Sequence, residues 1–397
     1  MGMAMIVIML AGCGSMATED TQLPQQTSGA APGDARQPEQ AAGVEDAQDS
    51  DEKEDVEMSI TIRDITSTEL VSGMKIGWNL GNTLDASGGV GVGSETSWGN
   101  PKTTQELIDA ILEQGFNVIR VPVTWGPHIG EAPEYQVDGA WMDRVQEVVD
   151  YAYDRGAYVI LNIHHEDWHF PSEENADTAC EKLAALWTQI ANRFMEYDER
   201  LIFEGMNEPR KVGTSVEWND GDEEGRRVVN RFVQVFVDTV RATGGNNTYR
   251  HLMVQGYAAA SHENALRSIV LPEDDKLIVS VHAYAPYDFA LNIQGTNVWG
   301  HNTKDIEKLM GLLDELFLDK GIPVIIGEFG AMNKSNEEER VEWAEYYIST
   351  AKAHGVPCIW WDNGAFDSDG ENFGLIDRIH LTFPYPELLK TLVENAQ

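Results

Sequence analysis

The chain has 397 residues, of which 42% are hydrophobic and 24% are charged, a composition typical of soluble globular proteins. It carries 28 Lys and Arg against 66 Asp and Glu, which gives a formal net charge of −38 at pH 7. Such a charge repels polyphosphate backbones and anionic lipid headgroups, so we expect no nucleic-acid partner and a neutral or cationic ligand.

The first segment, residues 1–16, is typical of an export signal. Its apolar run is about as long as a signal-peptide core and too short to span a bilayer. The stretch Leu10–Cys13 resembles a bacterial lipobox, in which the signal is cut before the cysteine and the thiol is acylated. No Lys or Arg precedes this run, so the positive region of a signal peptide is missing. We expect an extracellular or cell-surface protein whose only link to a membrane is a lipid anchor at Cys13. A short disordered apolar end is the alternative.

The next segment, residues 17–58, is predicted to be a disordered acidic linker. It is rich in Gln, Ala, Pro, Gly, Asp and Glu, with almost no aromatic or β-branched residues, so it cannot bury enough surface to offset the entropy of ordering. Residues 59–397 are expected to form one folded domain. Within it only Cys180 and Cys358 occur, too few for a disulfide framework. We expect buried free thiols, with a single bridge as the alternative.

Downstream of the linker, short apolar runs alternate with helix-length segments. Run length and β-branched content predict eight strands. They cover residues 75–79, 117–123, 158–163, 201–204, 251–255, 277–281, 323–327 and 357–361. Apolar strands that alternate with helices form a parallel sheet covered by helices, and eight such units fit an α/β fold of the (β/α)8 TIM-barrel type. A doubly wound open sheet is the alternative, but the Gly-rich stretch Ser87–Ser94 lacks its phosphate-binding spacing.

Polar or aromatic side chains stand at the ends of seven of the eight predicted strands. In a TIM barrel the active site forms at the carboxyl ends of the strands, from residues of several strands. We therefore expect these side chains to meet at one face. They are Asn79 and Asn82 for the first strand, Arg120 and Trp125 for the second, His164 and His165 for the third, Asn207 and Glu208 for the fourth, His282 and Tyr284 for the sixth, Glu328 for the seventh and Trp361 for the eighth.

Two of these residues, Glu208 and Glu328, are expected to face each other across the barrel mouth. Glycoside hydrolysis is the reaction that needs such a pair without a metal or cofactor. One carboxyl must hold a proton for the leaving oxygen, and the other must be ionised to attack the anomeric carbon. A nearby Arg favours an ionised carboxylate, and Arg120 is the candidate partner. Glu204 lies inside the strand and is expected to form an ion pair or hydrogen bond within the barrel. For Glu208 and Glu328, the alternative to a catalytic role is a structural salt bridge at the end of a strand.

Eight segments form an ordered series from about residue 60 to the C-terminus. They are GWNLGNTLDA (77–86), ETSWGNPKTT (95–104), NVIRVPVTW (117–125), VILNIHHEDW (159–168), FEGMNEPR (203–210), VSVHAYAPYDF (279–289), GEFGA (327–331) and IWWDNG (359–364). Together they resemble glycoside hydrolase family 5, the cellulase-type retaining glycosidases, and within it the bacterial endoglucanases and xyloglucanases. A lone Asn-Glu-Pro would be weak evidence, but the ordered series is specific.

The resemblance implies a role for each matching residue. Glu208 would be the general acid/base and Glu328 the nucleophile, with their carboxyl groups roughly 5 Å apart as retention of configuration requires. Asn207 would bind the 2-hydroxyl of the sugar being cleaved. Arg120 and Tyr284 would orient Glu328. His164 and His282 would hold the sugar and tune the acid/base residue. Trp361 would lie under the reacting sugar.

Further binding residues are predicted in the loops that follow the strands. An indole presents an apolar face to a glucose unit while its N–H can still bond, so Trp98, Trp125 and Trp168 are candidates for outer subsites, with plain packing as the alternative. The polar candidates are Asn79, Asn82, His128 and His165. The alternative for His165 is that it forms a hydrogen bond within its own loop and does not bind substrate.

Two loops invite a metal interpretation, which we do not adopt. His164 and His165 precede two acidic residues, but neighbouring residues of an extended strand point to opposite sides, so we expect them not to share an ion. The acidic loop 362–372 lacks the spacing of an EF-hand, so we expect a solvated loop. We therefore predict no metal ligand and no cofactor.

The sequence thus predicts a monomeric, secreted or surface-tethered retaining endo-β-1,4-glucanase acting on cellulose or a related β-glucan. The alternative substrates on the same barrel are xyloglucan, mannan and xylan. A carbohydrate-binding degenerate barrel is the alternative without enzymatic activity, but it predicts the loss of one carboxylate. A metal-dependent barrel hydrolase is the other enzymatic alternative, and it predicts activity that EDTA abolishes.

Overall fold

Eight parallel strands close into a barrel in the order in which they occur along the chain. The computed structural model describes residues 62–218 and 220–397; the predicted signal region 1–16, with Cys13, and the predicted linker 17–58 lie outside the described residues. The strands are β1 (Ile76–Leu80), β2 (Val118–Val121), β3 (Tyr158–Asn162), β4 (Leu201–Glu204), β5 (Leu252–Ala260), β6 (Leu277–His282), β7 (Val324–Phe329) and β8 (Cys358–Asp362). Because β8 pairs in parallel with β1, the predicted (β/α)8 barrel is confirmed and the open sheet is wrong.

Seven strands lie within two residues of their predicted bounds, and the fifth does not. It was predicted to end at Gln255, whereas β5 continues to Ala260. Its pairing with β6 shifts register between these two residues, and Ala258 and Ala259 have positive φ values of 54° and 46°. The extension escapes a sequence pattern because a Gly/Ala-rich bulged segment lacks the β-branched residues that indicate a strand.

Ten helices surround the barrel in the described part of the chain. They are α1 (Ser67–Ser72), α2 (Gln105–Glu113), α3 (Gly139–Tyr153), α4 (Glu173–Arg193), α5 (Glu223–Ala242), α6 (Glu263–Arg267), α7 (Tyr287–Ala290), α8 (Lys304–Leu316), α9 (Glu337–Ala353) and α10 (Pro386–Ala396). Short polar side chains begin several of them: Thr104, Asp138 and Asp222 accept backbone N–H bonds at the starts of α2, α3 and α5. None of the helices in this part is long and apolar enough to cross a bilayer.

The barrel interior has two layers of opposite chemistry. The apolar layer joins one side chain from each of seven strands with residues of α1, which lies below the barrel. Its strand residues are Val118, Ile160, Ile202, Met253, Ile278, Ile325 and Ile359. Since side chains alternate across a strand, the residues two positions further also point inward, and they form the polar layer. These are Arg120, Asn162, Glu204, Gln255, Ser280, Gly327 and Trp361, with Asn79 on β1.

The outer faces of the strands pack against the helices in a separate, larger core. Trp187, Trp343 and Tyr347 are fully buried there. Cys180 and Cys358 are buried and free. Gly205, directly after β4, is required by close approach, because a Cβ at this position would lie 2.6 Å from the Phe236 ring of α5. This contact fixes the point at which the chain leaves β4 for the barrel mouth.

Candidate active site

The two predicted carboxylates meet at the carboxyl ends of the strands. Glu208 follows β4, and the backbone N–H of its neighbour Asn207 donates at 2.8 Å to the carbonyl of Ile163, the residue directly after β3. Glu328 lies in β7, whose register with β6 shifts so that it pairs with His282. One oxygen of Glu208, one of Glu328 and one nitrogen of His282 all lie within 4.8 Å of one another. The pair is therefore close enough to act on one bond from both sides.

Arg120 connects this pair to the barrel interior. Its Nη1 donates to Glu328 Oε1 at 2.8 Å, and its Nε donates to Glu204 Oε2 at 2.7 Å. Nη2 donates to Asn207 Oδ1 at 2.8 Å, and Nη1 also reaches Asn79 Oδ1 at 2.9 Å. Burial opposes a charge here, but the two glutamates raise the pKa of Arg120. The guanidinium therefore stays charged and donates to Glu328 as a cation.

Glu204 belongs to the interior, as predicted. Its side chain is fully buried and is bonded to Arg120, to Ser280 Oγ at 2.8 Å and to Asn162 Nδ2 at 3.1 Å. Each of its oxygens has a donor inside the polar layer. Glu204 thus compensates the buried guanidinium and has no route to a substrate.

Tyr284 completes the surroundings of Glu328. Its hydroxyl donates to Glu328 Oε2 at 3.0 Å. Burial and the negative charge of Glu328 raise the pKa of Tyr284 well above its usual value, so the phenol stays protonated and remains a donor. Glu328 therefore has one donor on each oxygen, from Arg120 and from Tyr284, which fixes the plane of its carboxylate.

Glu208 is bonded to His282. His282 Nδ1 lies 2.8 Å from Glu208 Oε1 and 3.6 Å from Glu328 Oε2. Burial opposes the charged forms of both groups, but Glu328 and then Glu208 raise the pKa of His282, and His282 lowers that of Glu208. Glu208 and His282 therefore share a proton, which the unliganded pair holds on the histidine.

Arg210, two residues after Glu208, was not predicted as a site residue. Its Nη1 lies 3.6 Å from Glu208 Oε2 and donates to Glu208 O at 3.1 Å. The guanidinium carbon stacks 4.2 Å from the centre of the Trp218 ring. Its charge also lowers the pKa of Glu208. A basic residue directly after Asn-Glu-Pro was the available signal.

Glu371 was missed as well. It lies in the exposed loop after β8, where Asn363 Nδ2 bonds its carbonyl at 2.9 Å. The pKa of Glu371 is raised because the cleft desolvates it and because Glu208 and Glu328 carry like charges. A third carboxylate therefore borders the pair, and only its membership of an acidic loop hinted at this.

Trp361 and His164 form the wall beside the carboxylates. Their rings are stacked, with centres 5.7 Å apart and planes 2° apart. Trp361 packs in one cluster with Met332 and Phe373. Burial, and then His165, lower the pKa of His164 well below its usual value, so the imidazole is neutral. A flat apolar surface next to a neutral hydrogen-bonding ring suits a sugar.

His165 and Trp98 extend this wall toward the loops after β1. Their rings lie 5.4 Å apart, and Trp98 is 42% exposed, with its N–H bonded to Ser87 O. His165 also lies 4.4 Å from the His164 ring, so the expectation that the two histidines point to opposite sides is wrong. β3 ends at Asn162, and strand alternation does not hold in the loop beyond it.

The structure contradicts two binding predictions. Trp125 is fully buried, and its indole N–H bonds Asn162 O at 3.0 Å. His128 is 5% exposed and stacks on Trp141 with ring centres 3.7 Å apart. Both side chains turn into the protein from the loop after β2, because apolar burial outweighs exposure at the cleft. Neither reaches the carboxylates.

Two asparagines remain from the predicted binding set. Asn79 is fully buried and donates to Gly327 O at 2.9 Å, while its oxygen accepts from Arg120. It therefore positions Arg120 and cannot contact a substrate, so its predicted binding role is wrong. Asn82 lies in the turn after β1 with φ of 56°, beside Asp85, and its binding role stays a prediction.

Glu166 joins the loops after β2 and β3. It accepts from the backbone N–H of Trp125 at 2.6 Å and of Gly126 at 2.9 Å, and from the Trp168 indole at 2.6 Å. Burial raises the pKa of Glu166 to about 7, although these bonds oppose the shift. Trp168 is thus held at one fixed angle, and its predicted sugar contact stays a prediction.

Among the residues that the structure describes, two groups of side chains have ligand atoms close enough for a metal ion. They are Asp85, His164 and His165, and the group of Glu208, His282 and Glu328. In both groups the carboxylates already accept hydrogen bonds: Asp85 accepts from Asn82 N and Thr83 N, and Glu328 accepts from Arg120 and Tyr284. Directed hydrogen bonds thus already engage the carboxylates of Asp85 and Glu328.

In the loop 362–372, Asp362 is engaged by other protein groups. It accepts from the Trp78 indole at 2.9 Å and from Arg378 at 3.1 Å. The second bond joins the loop to the segment before α10. The buried end of this loop therefore stabilises the barrel rim.

The arrangement places a proton-sharing carboxyl and an Arg-bound carboxylate beside an aromatic wall. Their oxygens lie within 4.8 Å. Paired carboxyls about 5–5.5 Å apart suit a double displacement, whereas wider pairs of about 6.5–9.5 Å leave room for a water in a single displacement. The geometry therefore favours a covalent intermediate on Glu328.

Comparison with known proteins points the same way. The family model of cellulase, glycosyl hydrolase family 5, matches residues 84–367. Endoglucanase A of Ruminococcus albus is 51% identical over 350 residues, which are 86% of this chain and 96% of the relative. Endoglucanase B of Neocallimastix patriciarum is 50% identical over 346 residues, which are 85% of this chain and 73% of the relative.

Solved structures are similar over the whole barrel. A GH5-4 broad specificity endoglucanase from Ruminococcus champanellensis, with bound cellotriose, is 52% identical, with a TM-score of 0.82 over 84% of this chain and 99% of that chain. A xyloglucan-specific endo-β-1,4-glucanase from a metagenomic library, in complex with cellotriose, is 44% identical, with a TM-score of 0.81 over 83% and 98%.

Proposed function

The chain belongs to glycosyl hydrolase family 5, and on that premise we propose that it is a retaining endo-β-1,4-glucanase that cleaves internal bonds of cellulose and related β-glucans. The observation that carries the proposal is the carboxylate pair, whose oxygens lie within 4.8 Å, with one member bonded to Arg120 and the other to His282. No cofactor is needed, because the two carboxyls supply both the nucleophile and the proton.

The reaction begins with a sugar on Trp361. Glu208 gives its proton to the glycosidic oxygen as the C1–O bond breaks, and Glu328 attacks C1 to form a glycosyl-enzyme ester. In the second step a water gives its proton to Glu208 and its oxygen to C1, which releases Glu328 as a carboxylate. Arg120 and Tyr284 hold Glu328 in the attacking orientation throughout.

Substitution of each carboxylate tests the proposal. Glu208→Gln and Glu328→Gln should each reduce hydrolysis of β-glucan by about 10²- to 10⁴-fold while the circular dichroism spectrum stays unchanged. Asp319→Asn, on the surface before β7, is the matched control and should retain full turnover. Near-wild-type turnover in either active-site variant would overturn the assignment.

Azide separates the two roles. It should rescue Glu328→Gly by forming a glycosyl azide of inverted configuration, because azide then replaces the nucleophile directly. In Glu208→Gly it should attack the glycosyl-enzyme and give the retained product. The same stereochemistry from both variants would contradict the division of roles.

Xyloglucan is the second candidate substrate. The observation that favours it is the similarity to the xyloglucan-specific enzyme, together with a Trp98 side chain that is 42% exposed at the cleft rim. Initial rates on carboxymethylcellulose, mixed-linkage glucan, xyloglucan, mannan and xylan, with product sizing, separate the candidates. Activity confined to mannan or xylan would exclude both glucan assignments.

We also propose that the enzyme is an extracellular or cell-surface monomer, tethered through a lipid on Cys13. The lipobox-like Leu10–Cys13 supports the anchor, and a polymeric substrate favours a location outside the cell. Labelled palmitate should enter the wild-type protein expressed in a bacterium and not Cys13→Ser. Light scattering of the Cys13→Ser protein should give a mass near 44.1 kDa. Equal labelling of the wild type and Cys13→Ser would contradict the lipid anchor, and a dimer mass would contradict the monomer.

A further inference from the structure

A second arginine approaches the acid/base carboxyl without bonding to it. Arg210 Nη1 lies 3.6 Å from Glu208 Oε2, beyond the usual length of a hydrogen bond, and the same nitrogen donates to the backbone carbonyl of Glu208 at 3.1 Å. Glu328, by contrast, accepts directly from Arg120 at 2.8 Å. The nucleophile therefore has a bonded cation, whereas the acid/base has a cation held at a distance.

Two side chains of the segment after β4 hold the guanidinium at that distance. Arg210 Nε donates to Glu217 Oε1 at 3.2 Å, and the guanidinium carbon lies 4.2 Å from the centre of the Trp218 ring. Glu217 is itself fixed, because its Oε2 accepts the backbone N–H of Gly213 at 2.8 Å. We call Arg210, Glu217 and Trp218 the β4-loop clamp. The clamp gives the cation a defined place beside the acid/base.

Water screens the charges of the clamp only in part. The side chains of Arg210, Glu217 and Glu208 are 20%, 19% and 16% exposed. Charges in such surroundings interact more strongly than charges in bulk water. Burial raises the pKa of Glu208, but His282 and then Arg210 lower it. Arg210 therefore favours the ionised form of Glu208, and the carboxylate of Glu217 beside the guanidinium weakens this effect.

Both steps of the proposed reaction involve ionised Glu208. It forms when the proton passes to the leaving oxygen, and it accepts the proton of the water in the second step. A direct bond from an arginine would favour the ionised form so strongly that the Glu208–His282 pair would not keep a proton for the first step. A cation slightly further away stabilises ionised Glu208 without that loss.

We propose that Arg210 is a positioning residue that sets the proton affinity of the acid/base in both steps, and that Glu217 limits its effect. Arg210 acts through Glu208 and does not contact the substrate. Glu217 and Trp218 prevent the direct bond to the Glu208 carboxylate. The role rests on the proposed function, because it belongs to the same two hydrolytic steps.

Other titratable groups also face Glu208 and bear on its protonation. They are His165 after β3, His282 and Tyr284 in and after β6, Glu328 on β7 and Glu371 after β8. The proton that Glu208 shares with His282 titrates as a property of the pair. None of these groups is substituted in the variants of the clamp, so a shift in their pH profiles reports on the clamp itself.

Two aryl cellobiosides report on the two steps. Phenyl β-cellobioside has a poor leaving group, so the alkaline limb of its kcat/KM profile follows the loss of the shared proton. 2,4-Dinitrophenyl β-cellobioside has a good leaving group, so hydrolysis of the glycosyl-enzyme limits kcat, and the acidic limb of kcat follows protonation of the base.

Arg210→Met should move both limbs to higher pH by about half a unit or more, because the loss of a nearby cation strengthens proton binding. A merely structural role would lower both rates and leave the limbs in place. Unmoved limbs, with or without a higher KM, would therefore overturn the proposal.

Two further arginine variants are the matched controls. Arg210→Lys keeps the charge and should bring both limbs back toward their wild-type positions. Arg227→Met removes the same charge from α5, where the side chain is 57% exposed and paired with Glu173, and should leave both limbs in place. A shift in Arg227→Met equal to that in Arg210→Met would assign the effect to net charge and contradict the proposal.

Glu217→Gln is the opposite test, and it applies even if Arg210→Met fails to fold. It removes the carboxylate that weakens Arg210 and leaves the cation in place, so both limbs should move to lower pH. Limbs that stay in place or move to higher pH would overturn the proposal. Failure of the proposed function is separate, since the wild-type protein would then hydrolyse neither cellobioside.

Discussion

The two layers of the barrel interior lie on the same strands, two residues apart, and follow opposite rules. The apolar layer is a cluster of seven strand side chains above α1, and any filling of similar volume would serve it. The polar layer is one network centred on Arg120, in which each partner has a specific bond. Apolar packing degrades gradually, whereas a buried ion network fails when one member is lost. The catalytic face is therefore built on the less tolerant layer.

Removal of Arg120 should have the largest effect. In Arg120→Met the buried Glu204 loses its cation, and Glu328 loses one of its two donors. We expect no measurable hydrolysis and a loss of about 3–5 kcal/mol in the free energy of unfolding. Urea denaturation followed by tryptophan fluorescence measures the stability. Arg120→Lys keeps the charge but lacks the planar guanidinium donors, and it should lose less stability. A wild-type urea midpoint for Arg120→Met would show that the polar layer tolerates the loss of a member as the apolar layer does.

The apolar layer should respond in stability alone. Ile202→Ala removes buried methyl groups from the centre of that layer and should lower the free energy of unfolding by about 2–5 kcal/mol. The folded fraction should keep kcat within about twofold. Ile202→Val is the matched control, with a loss of about 0.5–1.5 kcal/mol. A selective fall in kcat for Ile202→Ala would show that the two layers are coupled.

Ser280→Ala tests a peripheral bond of the polar layer. It removes the hydroxyl that donates to Glu204 Oε1 at 2.8 Å and leaves the Arg120 contacts in place. We expect a loss of about 1–3 kcal/mol by the same urea assay, because a bond to a buried charge is lost. Ser280→Thr, which keeps the hydroxyl, should recover part of it. No loss at all would mean that the network tolerates missing members.

The smallest effect concerns a buried carboxylate outside the polar layer. No arginine donates to Glu166 within the described residues, and burial raises its pKa to about 7. A raised pKa means that its stabilising contribution is complete below the unfolded value of about 4.5 and is lost as pH rises through about 7. Glu166→Gln should remove this decline, on the order of 1–2 kcal/mol after allowance for partial exposure.

Thermal unfolding of wild type and Glu166→Gln from pH 4.5 to pH 8 measures the difference. Parallel curves for wild type and Glu166→Gln would contradict the interpretation.

Much of the fold was predictable because its signals are local. Run length and β-branched content placed seven strands within two residues of their observed bounds. β5 was cut short, because its last residues form a bulge whose pairing depends on β6. Sequence patterns report the secondary-structure propensity of one segment, whereas the position of a bulge depends on pairing with the partner strand.

The chain by itself determined which residues stand at the strand ends, and hence that Glu208 and Glu328 share one face with Arg120. Only the tertiary structure decided which neighbours reach them. It turned Trp125 and His128 into the core, brought His165 beside His164 and added Arg210. Strand alternation is a local rule that sequence obeys, but a loop residue is directed by packing and hydrogen bonds from distant segments, which no local pattern encodes.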